Sequence, residues 1–258
     1  MPTNHTAIVP LRAFQDNYIW IMRRGGDAAV VDPGDAAPVL AYLDREGLRL
    51  TAILNTHHHA DHVGGNAELL RHFRVPVYGP ADPRIAEVSR QLRSGDCCTL
   101  AEFGVEFAAL EIPGHTRTHI AFHGDSILFC GDTLFACGCG RLFEGTPRQM
   151  HDSLGRLAAL PGAMRVYCGH EYTLDNLRFA RAVEPHNPAL AEWEREARAQ
   201  RARDEPTLPS TIARETNANP FLRCAEPAVV TAASRHAGRE LADPVSVFGV
   251  LREWKNDF

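Results

Sequence analysis

Four side chains of metal-ligand type stand within six positions of one another: His57, His59, Asp61 and His62, in Thr56-His57-His58-His59-Ala60-Asp61-His62. Three more follow at wide intervals, each after a glycine: His115, Asp132 and His170. Neutral imidazole and carboxylate are good ligands for zinc, iron or manganese. On one short loop, His57 and His59 can point to one ion while Asp61 and His62 turn towards a second position. His115 could complete the first set and His170 the second, with the two oxygens of Asp132 between them. Five imidazoles and two carboxylates suit two cations held a few ångströms apart. A histidine-rich tract can also bind metal adventitiously, but such a tract needs neither an embedded Asp nor a following Gly64-Gly65. The remaining histidines, His5, His58, His72, His119, His123, His151, His186 and His236, read as ordinary core or surface residues.

The elements that must position these groups are legible in outline. Strand-prone runs at 6–11, 17–22, 28–31 and 50–55 are broken by turns, with Gly25-Gly26 as a hairpin connection and Asp32-Pro33-Gly34 after the third. A helix is expected at 38–46, stopped by Gly47, and another at 66–73. Strands at 75–78, 119–122, 126–130 and 165–168, an alternating hairpin-like run at 99–112 and a helix at 147–160 complete the first part. The ligand residues therefore sit just past strand ends, where loops carry chemistry on a rigid scaffold. After Thr173 the texture becomes helical, with helices expected at 174–183, 188–204, 226–236 and 244–255 and no strand among them. The expected division is a mixed domain at 1–172 and a helical one at 173–258. The Glu- and Arg-rich stretch at 192–205 reads as a solvated helix face.

Composition narrows the partners. The chain has 258 residues and a formal net charge of −5, from 27 basic and 32 acidic side chains. That balance excludes the broad basic surface nucleic-acid binding needs. No apolar run approaches membrane-spanning length, and the first eleven residues lack signal-peptide character. Seven irregularly spaced cysteines give no disulfide framework, so a reducing cytoplasm is expected. All but one of the 27 cations are Arg; the exception is Lys255.

His57-His58-His59-Ala60-Asp61-His62 resembles the HxHxDH signature of the metallo-β-lactamase superfamily, and His115, Asp132 and His170 match its remaining ligand positions in order. Gly131-Asp132-Thr133-Leu134-Phe135, Gly138-Cys139-Gly140-Arg141, Tyr167-Cys168-Gly169-His170-Glu171-Tyr172-Thr173, Asn219-Pro220-Phe221-Leu222-Arg223 and the last eight residues are similar to the glyoxalase II family, the hydroxyacylglutathione hydrolases. The resemblance implies an α+β fold: an αββα sandwich followed by a smaller all-α C-terminal domain. It implies that His57, His59 and His115 hold one divalent metal and Asp61, His62 and His170 the other, with Asp132 bridging. Zinc is the expected metal, with iron and manganese as alternatives. It further implies a small-molecule substrate, S-D-lactoylglutathione or a related S-(2-hydroxyacyl)glutathione. Arg141, Tyr172, Arg252 and Lys255 would bind it, and a metal-bridging hydroxide oriented by Asp61 would attack the thioester. Where some members have Tyr this chain has Phe143, which has no hydroxyl to offer. An iron-dependent glutathione persulfide dioxygenase of the same superfamily is the competing activity, and a metal-bound module without catalysis is the non-enzymatic one. A monomer, with no membrane or nucleic-acid partner, is expected. Asp32 reads equally as a turn residue and as a group orienting the ligand loop.

Overall fold

A computed structural model describes residues 5–258, which fall into two compact units. The first comprises the chain up to Glu111 together with Thr118–Gly131, and the second Ile112–Arg117 together with Asp132–Phe258. This division falls earlier than Thr173, where the sequence texture turns helical.

The first unit is built on two sheets. One runs β1 (Ala7–Ala13), β2 (Asn17–Arg24), β3 (Asp27–Val31), then, after helix α1 (Ala36–Glu46), β4 (Arg49–Leu54). The short helix α2 (Ala60–Val63) and α3 (Asn66–His72) precede β5 (Val77–Pro80) and β6 (Arg90–Leu92). The strands lie in sequence order, antiparallel from β1 to β3 and parallel from β3 to β6. Gly25-Gly26 closes the β2–β3 hairpin as a two-residue turn, with Gly25 at φ +58°, a conformation that favours glycine. Helix α1 starts where the Asp35 side chain accepts the Ala37 N–H and ends on left-handed Gly47, as the stop signal predicts.

Six consecutive residues of β2, Asn17–Met22, are buried, so both faces of this sheet are covered. Ile19, Ile21, Val30 and Ile53 pack with Val39, Leu43 and Leu69 of α1 and α3. Trp20, Met22, Val31 and Leu54 alternate with them and are buried on the opposite face. The second sheet of the unit is antiparallel: β7 (Cys97–Leu100), β8 (Val105–Glu111), β9 (Ile120–Gly124) and β10 (Ile127–Gly131). Val105, Phe107 and Ala109 of β8 are buried in alternation, the period-two pattern of a sheet with one core face. Arg24 Nη1 reaches the Phe103 carbonyl at 2.6 Å, tying the first sheet to the turn before β8.

The second unit opens with a small hairpin, β11 (Leu134–Phe135) and β12 (Gly138–Cys139). Helix α4 (Pro147–Ala158) begins with a Thr146/Gln149 capping box and Pro at its first turn, both helix-start devices. Then come β13 (Arg165–Cys168), α5 (Thr173–Val183), α6 (Pro188–Ala202), β14 (Ser210–Thr211), α7 (Ile212–Ala218), α8 (Pro227–Ala237) and α9 (Pro244–Asp257). Two of these lie outside the expected pattern. β14 is a two-residue strand paired with β13, within a stretch read as strand-free. α7 is a seven-residue helix between Pro209 and Pro220, a span too short and too punctuated to show a helical period. An aromatic core joins α5, α9 and the 220–222 turn: Phe179 stacks on Phe221 at 5.8 Å, and Phe248 meets Phe221 edge-on. On α6, Glu194 and Arg198 pair at the i,i+4 spacing expected of a solvated face. None of the seven cysteines forms a disulfide; Cys97 is exposed and the other six are buried. No helix among the described residues is long and apolar enough to cross a membrane.

Candidate metal-ligand clusters

In the first unit the chain leaves β4 at Leu54 and places Asn55, Thr56 and His57 in full burial before turning into α2. His57 Nε2 lies 3.2 Å from His59 Nδ1. Two nitrogens each about 2.0–2.1 Å from one tetrahedral ion are separated by about 3.3 Å, so this pair has the spacing of two ligands of one metal. Asp61 Oδ2 stands 3.5 Å from His62 Nε2 and is steered by Asn17 Nδ2 at 2.9 Å. The tight approach of α2 to the loop after β3 explains Gly34, because a Cβ there would overlap the Asp61 backbone carbonyl.

Asp32 organises this cluster. Its carboxylate accepts the Thr56 backbone N–H at 2.8 Å, the Thr56 hydroxyl at 2.7 Å and His62 Nδ1 at 3.1 Å. With the Thr56 hydrogen committed to Asp32, the Thr56 oxygen is left to accept from His57 Nδ1, 3.0 Å away. Both imidazoles therefore carry their proton on Nδ1 and turn the Nε2 lone pair outward, the arrangement that carboxylate partners impose on metal-ligating histidines. Asp32 is 4% exposed and adopts φ +51°. Its side-chain bonds thus run to Thr56 and His62 of the histidine-rich loop. His119, read as an ordinary histidine, stacks on the His57 ring at 4.6 Å.

The second unit carries the other three ligand-type residues as a group. Asp132, 6% exposed, places one carboxylate oxygen 3.2 Å from His170 Nε2 and 3.5 Å from His115 Nε2. His115 Nδ1 donates to the Arg141 carbonyl at 2.9 Å, so its Nε2 is again the available lone pair. A buried carboxylate facing two imidazole Nε2 atoms is a donor set that suits a divalent cation. The Tyr172 ring lies parallel to His170 at 4.8 Å, with Phe135 edge-on to both.

The predicted substrate residues fall into distinct settings. Arg141 is exposed, next to Phe143, which is 64% exposed and edge-on to His115 at 5.3 Å. Arg252 is buried, with Nη1 on the Cys139 carbonyl at 2.7 Å and its guanidinium over the Phe221 ring. Half-buried Lys255 reaches the Asp175 carbonyl at 3.3 Å and sits over the Phe179 and Phe258 rings. Burial lowers the Lys255 ammonium below its ordinary value; the charges of Arg252, Arg178 and Arg141 add to this and Asp175 opposes it. Cations that raise one another's free energy in this way form a local attractor for an anion.

The metallo-beta-lactamase superfamily matches residues 13–88 and 80–170, and the hydroxyacylglutathione hydrolase C-terminus matches residues 171–258. The fold and donor set thus define an α+β metallo-β-lactamase-type protein with an added C-terminal domain. Hydroxyacylglutathione hydrolases of Alkalilimnicola ehrlichii and Nitrosomonas europaea are 58% and 54% identical to the chain over 97% of its length, covering 99% and 96% of theirs. The chain belongs to the hydroxyacylglutathione hydrolase family. A solved structure described as TTHA1623 in a di-iron-bound form is 33% identical, with a TM-score of 0.54 over 64% of this chain and 91% of that one.

Proposed function

We propose that the protein hydrolyses S-(2-hydroxyacyl)glutathione, S-D-lactoylglutathione first, to glutathione and a 2-hydroxy acid, acting as a monomer in the cytoplasm. The observation that carries the reading is the C-terminal match at residues 171–258, joined to full-length relatives that bear the hydrolase name. His57, His59 and His115 would hold one divalent ion and Asp61, His62 and His170 the other, with Asp132 shared. A two-metal relative supports this count, and zinc suits the nitrogen-rich set. Such ions supply a nucleophilic water near neutral pH and polarise the thioester carbonyl.

The chain contributes orientation. Asp61 Oδ2, held by Asn17, would orient the nucleophile as well as ligate. Asp32 and the Arg141 carbonyl keep His57, His62 and His115 in one tautomer. The leaving group is a thiolate, stable enough to depart without a dedicated general acid. This accounts for a site with no serine or cysteine nucleophile. The substrate is anionic while neither side of Thr173 is basic overall (15 basic against 19 acidic before it, 12 against 13 from it onwards). Recognition is therefore local, through Arg141, Tyr172, Arg252 and Lys255 on the 1–172 and 173–258 segments.

The test is loss of thioester absorbance with metal-replete protein under anaerobic conditions, alongside metal analysis. Oxygen-dependent turnover of glutathione persulfide without thioesterase activity would overturn the reading. Lys255→Ala is expected to raise KM about tenfold, the usual order for losing one bond to a charged group, while kcat and metal content hold. A fall in kcat at unchanged KM would take Lys255 out of substrate binding.

A further inference from the structure

Glu215, on α7, is wholly buried and belongs to neither ligand cluster. One of its oxygens accepts the Cys137 backbone N–H at 2.9 Å and Asn219 Nδ2 at 3.0 Å, and the other meets the Ser210 hydroxyl. Burial pushes its carboxyl up to about 7, against the pull of these three donors. A buried acid costs more than an apolar side chain of the same size, so what it does beyond filling space matters. Two of its three donors lead to the turn at 137–139: Cys137 lies in it and Asn219 bonds it.

We propose that Glu215 is a positioning residue for substrate binding, setting Arg252 through the 137–139 turn and the Phe221 ring. The proposal rests on the hydrolase reading and on the assignment of Arg252 to the substrate. The turn needs an external hold, since Cys137 stands at φ +57°, a left-handed conformation unfavourable for a residue with a Cβ. Glu215 supplies that hold at the Cys137 N–H. Asn219, itself bound to Glu215, donates to the Gly138 carbonyl at 2.9 Å. Asn176 closes the other side, donating to the Ala136 carbonyl at 3.0 Å. It lies so near Gly138 that a Cβ there would strike its amide. The next residue in the turn presents the carbonyl of Cys139 to Arg252.

A second route reaches the same guanidinium. Asn219 Oδ1 accepts the Phe221 N–H at 3.1 Å, fixing the residue whose ring lies 5.2 Å from the Arg252 guanidinium carbon. Both faces of the Arg252 setting, the carbonyl and the ring, therefore depend on the Glu215–Asn219 pair. An apolar side chain at 215 would fill the space but offer no acceptor to Cys137 and no partner to Asn219, and the turn would relax.

The experiment compares metal-loaded full-length wild type, E215A, E215D, E215Q, R252A and E215A/R252A with S-D-lactoylglutathione, measuring metal content and thermal unfolding of each. E215A is expected to raise KM about tenfold, the scale of leaving buried donors unmet, with kcat and metal content within about twofold. E215D, one methylene short of Cys137, should fall between E215A and wild type. E215Q keeps an oxygen for the Cys137 N–H and should restore KM to within about threefold of wild type. If Glu215 acts through Arg252, the double variant should bind no worse than R252A alone, because residues on one path are not additive. Where E215A does not fold, E215D carries the test. An unmoved KM in E215D and E215A, a loss confined to kcat, or effects that multiply in the double variant would overturn the proposal with the hydrolase reading intact. Wild type that leaves S-D-lactoylglutathione uncleaved would overturn the reading itself.

Discussion

Asp132→Ala is expected to abolish thioester turnover, by about a thousandfold or more, the size of the several kcal/mol a divalent ion contributes to the transition state. The same protein should hold less metal per chain. Asp132 is the carboxylate that His115 and His170 share: one oxygen faces both Nε2 atoms, at 3.5 and 3.2 Å. Its removal leaves two imidazoles converging on a point without the negative charge that offsets the cation. Alanine fits the volume, so the effect is one of charge and ligation rather than packing. The measurement is kcat/KM and metal content on a single preparation. Unchanged activity would remove Asp132 from the site and end the two-ion assignment.

Asp32→Ala is the second large effect, and it would act through the residues that Asp32 holds. The carboxylate holds Thr56 by two bonds and His62 by one, and through the Thr56 hydroxyl it sets the His57 tautomer. Loss of a partner behind one metal-bound histidine costs about 10–100-fold in metal affinity or activity. Here one residue stands behind two, so the upper end of that range is expected. Metal retention against a chelator checks it, with thermal unfolding of the folded variant as control. Because the bonds of the Asp32 side chain run to Thr56 and His62, the fraction of protein that remains loaded should keep its KM. Metal retention equal to wild type would return Asp32 to the role of a turn residue.

How far the residues foretold these arrangements depended on distance along the chain. Helix α1, with its Gly47 stop, was legible because termination uses neighbours within four residues, and β13 and α4 stand close to where a strand and a helix were expected. The His57–His62 loop was legible for the same reason: six positions give ligand type and spacing directly. Helix α7 was not. Its seven residues show too little period, and its N-cap, Thr211, follows a proline that reads as loop. The settings of the proposed substrate cations were also hidden. Arg252 and Lys255 share one helix, yet only Arg252 is driven into the interior, by an aromatic ring and a carbonyl from remote segments.

By itself the sequence determined which chemistry was available: imidazoles and carboxylates in ligand number, cations too few and too scattered for a basic surface, and the family whose motifs they match. Only the tertiary structure decided which lone pair His62 and His115 turn outward, since that is set by Asp32 from 30 residues away for His62 and by the Arg141 carbonyl from 26 away for His115. The same holds for Glu215, which reaches Cys137 across 78 residues. A hydrogen bond acts over about 3 Å, and no local propensity reports which distant segments packing will bring that close.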